Sequence, residues 1–128
     1  MILFLDDSPE RAAIAYQRML PKEREKVIWC STAEEAICTL RDYREVLTLV
    51  TLDHDLEGRT YVHPGSDKCG MEVVRYLEDF AKKNEEEFET FKSIEFIVHS
   101  YNEYAAPEMT KKLRDIGIKK VEWIPFGT

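Results

Sequence analysis

The chain has 128 residues, 44% hydrophobic and 34% charged, the profile of an ordinary single-domain globular protein. Its net charge of -7 excludes a general basic surface for nucleic acid, so a nucleotide would have to bind at a local site through a metal ion. Cys30, Cys38 and Cys69 are odd in number and lack CxxC spacing, which predicts a reduced, cytoplasmic setting, and no stretch matches a secretory signal or a membrane span.

The first strand is the apolar run Ile2 to Leu5, ending in Asp6-Asp7. A helix should follow to about Leu20, with Asp7 as its N-cap, Pro9 early and Glu10 three residues after Asp7. Val27 to Cys30 is the second strand, and the capping-box patterns in Ser31-Thr32-Ala33-Glu34-Glu35 open a helix to roughly Tyr43. Val46 to Leu52, nearly continuous in aliphatic residues, suits a strand covered on both faces. Residues 56–69 form a polar loop containing Gly and Pro, long enough for a functional lid. A helix begins near Gly70, and Val73, Val74, Leu77, Phe80 and Ala81 keep helical spacing. Lys82 to Lys92 either extends that helix or follows it, with Phe88 and Phe91 as packing anchors. Ile94 to Val98 is the fourth strand, Pro107 to Ile116 a helix stopped by Gly117, and Val121 to Pro125 the fifth strand. Four β-α alternations and a last strand predict an α/β fold, a parallel sheet with helices on both faces.

Ligands of open parallel sheets bind beyond the carboxyl ends of the strands. The apolar runs deliver Asp6 and Asp7, then Asp53, His54 and Asp55 from "LVTLDHDLEG", then His99, Ser100, Tyr101 and Asn102 to that edge. Each has an ordinary structural role open to it. Asp7 would cap a helix, Asp53 or Asp55 a turn, Asn102 would bond backbone, and His99 would be a satisfied buried histidine. Four aspartates and two histidines at one edge argue for a site.

The motifs "FLDD", "LDHDL", "CGMEVVRYL" and "HSYN", in this order over nearly the whole chain, resemble the cyclic-phosphate processing receiver domains, divergent relatives of response-regulator receivers. The resemblance implies a receiver-like, flavodoxin-like three-layer sandwich over residues 1–128 as one domain, with strand order 2-1-3-4-5; unlike ordinary receivers, the sequence shows no C-terminal helix after the fifth strand. It also implies an acidic pocket at Asp6 and Asp7, a phosphoacceptor-like Asp53, and roles for His54, Asp55, His99, Ser100 and Asn102 in processing cyclic phosphate ends of RNA. The sequence departs from receivers where Ile124, not lysine, precedes Pro125. Lys119 and Lys120 are about 16 Å of strand away from the active edge. Cys69 stands where threonine is commoner, and Ala105 where glycine is.

Carboxylates with few other ligands suit a hard divalent cation such as Mg²⁺, here held by Asp6, Asp7 and Asp53. Opening a cyclic phosphodiester needs one proton taken and one given, which predicts His54 and His99 as acid and base with Asp55 beside them. Ser100 and Asn102 would hold phosphate oxygens, and Arg59, His63 and Lys68 would close over the substrate from the loop, His63 with the least support because a His-Pro dipeptide in a loop needs no function. The alternative is a non-catalytic receiver-like module that signals or binds a partner, with Asp53 as phosphoacceptor. Toprim nucleases, haloacid-dehalogenase phosphatases and two-histidine phosphoesterases fit less well: Asp6 is not the strand-one glutamate the first need beside a DxD, the second carry DxD on strand one, and the third need a repeated H-x-S/T. With no terminal helix expected, the face over the third to fifth strands should be covered by the Phe88/Phe91 segment, a homodimer or a protein partner.

Overall fold

The structure, a computed structural model, describes residues 1–56, 63 and 65–126. The short apolar runs become strands β1 (Ile2–Leu5), β2 (Val27–Cys30), β3 (Leu49–Leu52), β4 (Glu95–Val98) and β5 (Lys120–Trp123). They form one parallel sheet in the order β2-β1-β3-β4-β5, as expected. The register keeps the strands level. Leu5 lies opposite both Cys30 and Leu52, and Leu52 opposite Val98. Ladder bonds continue one residue further, from Asp6 N–H to Cys30 O at 3.0 Å, Asp53 N–H to Leu5 O at 3.0 Å and His99 N–H to Leu52 O at 2.9 Å. Three polar residues therefore leave the sheet side by side.

Side chains alternate between the two faces of each strand. Leu3, Leu5, Val50, Leu52, Phe96 and Val98 are fully buried in the core shared with α3 (Ala33–Tyr43), α4 (Gly70–Lys83) and α6 (Ala105–Asp115), in which α3 and α6 both pack on α4. Helix α1 (Pro9–Arg18) lies over the opposite face, across a cleft of about 270 Å³ from Phe4, Val27 and Trp29, and fully buries none of its residues.

Several boundaries differ from expectation. Ser8, not Asp7, caps α1: its Oγ accepts from Arg11 N–H at 3.2 Å, which leaves Asp7 to face the carboxylate cluster. Helix α1 stops at Arg18 rather than near Leu20, because Pro21 holds Leu20 extended, and a separate turn, α2 (Pro21–Arg24), begins there. The fourth predicted helix starts two residues early, at Ala105, which puts Pro107 inside the first turn where its missing N–H costs nothing. Gly117, at φ 101°, ends the turn after that helix.

The segment after α4 forms its own helix, α5 (Glu85–Lys92), broken from α4 at Asn84. Phe88 and Phe91 are anchors as expected, but they pack on Phe80, with centroids 6.4 and 5.4 Å away, in the core of the three-helix face. They do not cover the α1 face. That face is covered instead near β4 by Phe126, whose N–H bonds His99 O at 3.0 Å and whose ring lies 6.3 Å from Phe4 and 6.1 Å from His99. No helix follows β5 among the described residues.

Candidate functional site

Asp6 sits at the centre of the strand-end cluster and is fully buried. Its carboxylate accepts from Ser8 N–H (2.9 Å), Arg11 Nε (2.8 Å) and Nη2 (2.7 Å), and His99 Nε2 (3.0 Å). The same Arg11 Nη2 lies 3.5 Å from Asp7 Oδ1 and 3.4 Å from Asp53 Oδ2. Arg11 was not among the residues singled out from the sequence. A signal existed: it is four residues after Asp7 and in the first turn of a helix, where the helix's own positive end disfavours a cation.

Crowding of acids divides their proton affinities. Burial pushes the Asp6 carboxyl up, but hydrogen bonds from His99, Arg11 and Ser8 outweigh it and hold Asp6 below the usual carboxylate value. Asp53 has less support, from Arg11 at 3.4 Å and the His54 N–H at 2.8 Å, and burial first, then the neighbouring Asp6 charge, push it up to about 7. Arg11 is held more basic than usual, chiefly by its hydrogen bonds to Asp6. Since ionised Asp6 can only accept, the His99 proton must be on Nε2. Nδ1 pairs with the Thr51 hydroxyl at 2.5 Å, accepting from it in the neutral ring and donating to it in the imidazolium. The ring is further fixed by stacking on Phe4, 5.0 Å between centroids and 4° from parallel.

The two histidines proposed as a pair are on opposite faces of the sheet. His99 stacks on Phe4 toward α1, whereas the fully buried His54 receives Met71 N–H on Nδ1 at 3.3 Å from the start of α4. Gly70 permits this approach. Its N–H bonds His54 O at 2.9 Å, and a Cβ there would meet Asp53 O at 1.9 Å. Ser100 Oγ accepts from Asn102 N–H at 3.0 Å, so both belong to one turn. Asn102 Oδ1 accepts from the N–H groups of Tyr104 and Ala105 at the start of α6, and its Nδ2 donates to Asp55 Oδ1 at 3.2 Å. Lys68 is exposed, and its backbone N–H bonds Ser66 Oγ at 3.1 Å. Arg59 lies outside the described residues.

Two tryptophans on the edge strands were also missed. Trp29 Nε1 donates to Asp6 O at 2.7 Å, and Trp123 Nε1 donates to Ser100 O at 2.8 Å. Each indole ties down a backbone carbonyl of the site. A tryptophan at or next to the end of an edge strand, half-exposed and needing an acceptor, was the available signal.

The donors fit a divalent cation. One ligand atom each from Asp6, Asp53 and His99 lie within 4.8 Å of one another. Arg11 already places positive charge among the carboxylates of Asp6, Asp7 and Asp53.

The family model described as "Cyclic-phosphate processing Receiver domain" matches residues 1–115. No curated protein matches the chain. Among solved structures, the signal receiver domain of a putative Luxo repressor protein from Vibrio parahaemolyticus is similar, with TM-score 0.58 and 16% identity over 99% of this chain and 78% of that one. A second is the co-crystal structure of the Saccharomyces cerevisiae phosphotransfer protein Ypd1 and the receiver domain of Ssk1, at TM-score 0.59 and 15% identity over 98% and 79%. The Francisella response regulator 1452 receiver domain follows at TM-score 0.51 and 14% identity over 98% and 84%. At these identities the structures establish the receiver fold.

Proposed function

Because the chain belongs to the cyclic-phosphate processing receiver domain family, we propose that it is a metal-dependent phosphoesterase that opens 2′,3′-cyclic phosphates on nucleotides or RNA ends. The observation that carries this reading is the convergence of Asp6, Asp7, Asp53 and His99 around a position that already attracts positive charge. Asp6, Asp7 and Asp53 would hold the cation, with His99 in reach of it; hard carboxylate donors favour Mg²⁺. When bound, the ion supplies charge neutralisation for the phosphate and a more acidic water.

The chain's own groups supply the rest. His99 faces Asp6 through Nε2 at 3.0 Å and Thr51 through Nδ1; as the imidazolium it would give one proton to a leaving alkoxide and return to neutral imidazole. The Ser100 hydroxyl accepts from Asn102 N–H and keeps its own proton to donate to a phosphate oxygen. Asn102 and Asp55 fix the β4–α6 connection beside the site, and His54 holds the start of α4 against Asp53. Arg59 and Lys68 are assigned to the substrate from sequence alone. The reduced, cytoplasmic setting stays part of this reading; no disulfide joins the described cysteines, and no described helix is long and apolar enough to cross a membrane. So does a homodimer or partner over the α1 face, where Ile14, Tyr16 and Leu20 are exposed.

Incubation with adenosine 2′,3′-cyclic phosphate, with Mg²⁺ or with EDTA, tests the reading by chromatography of the products. A 2′- or 3′-monophosphate formed only with metal is the expected result. A second reading rests on Asp53 ending β3 beside Asp6 and Asp7 in a receiver fold: a signalling module phosphorylated on Asp53. A stable acyl phosphate from acetyl phosphate, with no turnover of the cyclic nucleotide, would favour it.

A further inference from the structure

Arg11 occupies the place that the metal-dependent reading gives to a cation. Its Nη2 contacts carboxylates from three residues, at 2.7 Å (Asp6), 3.5 Å (Asp7) and 3.4 Å (Asp53). That is the environment of a coordinated cation rather than of a pairwise salt bridge. A divalent ion held by the same oxygens would face a guanidinium of like charge at short range, so the two exclude each other. Leaving is structurally cheap. The Arg11 side chain is 34% exposed, and it belongs to a helix that fully buries none of its residues.

A displaced Arg11 remains tethered beside the site, because Ser8 caps its own backbone N–H. A guanidinium there presents a planar fork of donors that matches two phosphate oxygens. Among the described residues no other Arg or Lys forms an ion pair with Asp6, Asp7 or Asp53.

We propose that Arg11 exchanges partners: without metal its guanidinium neutralises Asp6, Asp7 and Asp53, and when a divalent cation takes those carboxylates it turns outward to bind the substrate phosphate. This rests on the metal-dependent reading and assigns its phosphate-binding group.

Two titrations without turnover test it on the wild-type chain, Arg11→Gln and Arg11→Lys, with far-UV circular dichroism as the check on folding. In the first, Mn²⁺ is titrated and followed by electron paramagnetic resonance. Arg11→Gln should bind Mn²⁺ about tenfold more tightly than wild type, and Arg11→Lys should fall between them. In the second, inorganic phosphate is titrated calorimetrically into protein saturated with Mg²⁺. Arg11→Gln should bind phosphate about tenfold more weakly, and Arg11→Lys should recover part of the loss. Mn²⁺ affinity equal to or below wild type in Arg11→Gln overturns the competition, and unchanged phosphate binding overturns the exchange. If Arg11→Gln does not fold, Arg11→Lys alone decides, by the same directions. Absence of Mn²⁺ binding in every protein overturns the metal-dependent reading and this proposal with it, an outcome distinct from binding that ignores Arg11.

Discussion

Replacing Asp53 with asparagine removes a carboxylate that the metal-free fold holds at a cost, and the cost has a pH signature. In the unfolded chain Asp53 titrates near 3.8, whereas in the fold burial and the Asp6 charge push it up to about 7. Below pH 4 the group is neutral in both states, and its burial carries no ionic penalty. Between about 4 and 7 the unfolded chain releases a proton that the folded chain retains, so stability falls as pH rises. Above 7 the folded group ionises and the loss is complete. A rise from 3.8 to about 7, at about 1.4 kcal/mol per pH unit, puts the ceiling near 4 kcal/mol.

Asparagine removes this penalty, which is already net of the 3.4 Å attraction to the partly exposed Arg11, and relaxation around the buried charge keeps the realised penalty below the ceiling. Asparagine keeps an oxygen for His54 N–H, which Asp53 Oδ1 now receives at 2.8 Å. The expected net gain at pH 8 without metal is about 2–3 kcal/mol, or about 6–12 °C in Tm for a chain of this size. The gain should vanish at pH 4. Excess Mg²⁺ should close the gap, raising wild type by about 2.7 kcal/mol at a hundred times its Kd and leaving Asp53→Asn unmoved. Thermal melts from pH 4 to 8, with EDTA and with Mg²⁺, provide the measurement. A destabilised Asp53→Asn at pH 8 in EDTA, or a gap independent of pH, would refute this account of the site.

Gly70→Ala should cost about 3 kcal/mol or more in urea denaturation, because its Cβ would meet the Asp53 backbone oxygen at 1.9 Å. His99→Ala should lower any metal-dependent turnover by about a hundredfold or more, whereas His54→Ala should act first on stability, measured by melting, since its ring receives Met71 N–H. Trp29→Phe should lose about 1 kcal/mol through the missing bond to Asp6 O and should weaken Mn²⁺ binding; an unchanged Mn²⁺ isotherm would separate the indole from the site. Light scattering over a range of concentrations should show self-association if a second copy covers α1, and a monomer throughout would remove the homodimer.

Much of the fold follows from local pattern. Short aliphatic runs such as Leu49 to Leu52, alternating with amphipathic segments, admit few solutions besides a parallel sheet between helices. Carboxylates placed directly after those runs must then meet at one edge, because parallel strands in level register end together. Asp6, Asp53 and His99 were legible for that reason.

What the sequence left undecided depends on which face a ring or a long side chain takes once the sheet has formed. His54 and His99 look equivalent as strand-end histidines, yet one is bonded at the start of α4 and the other stacks on Phe4 under Asp6. Phe88 and Phe91 were apolar anchors in either reading, and only the break at Asn84 directs them to Phe80. Arg11 reads as one more surface charge until folding places it beside Asp53, 42 residues further along the chain. A charge pattern records local neighbours, whereas the burial of Asp6 and Asp53 side by side is a property of the assembled strand ends, and the guanidinium is held by that buried negative charge.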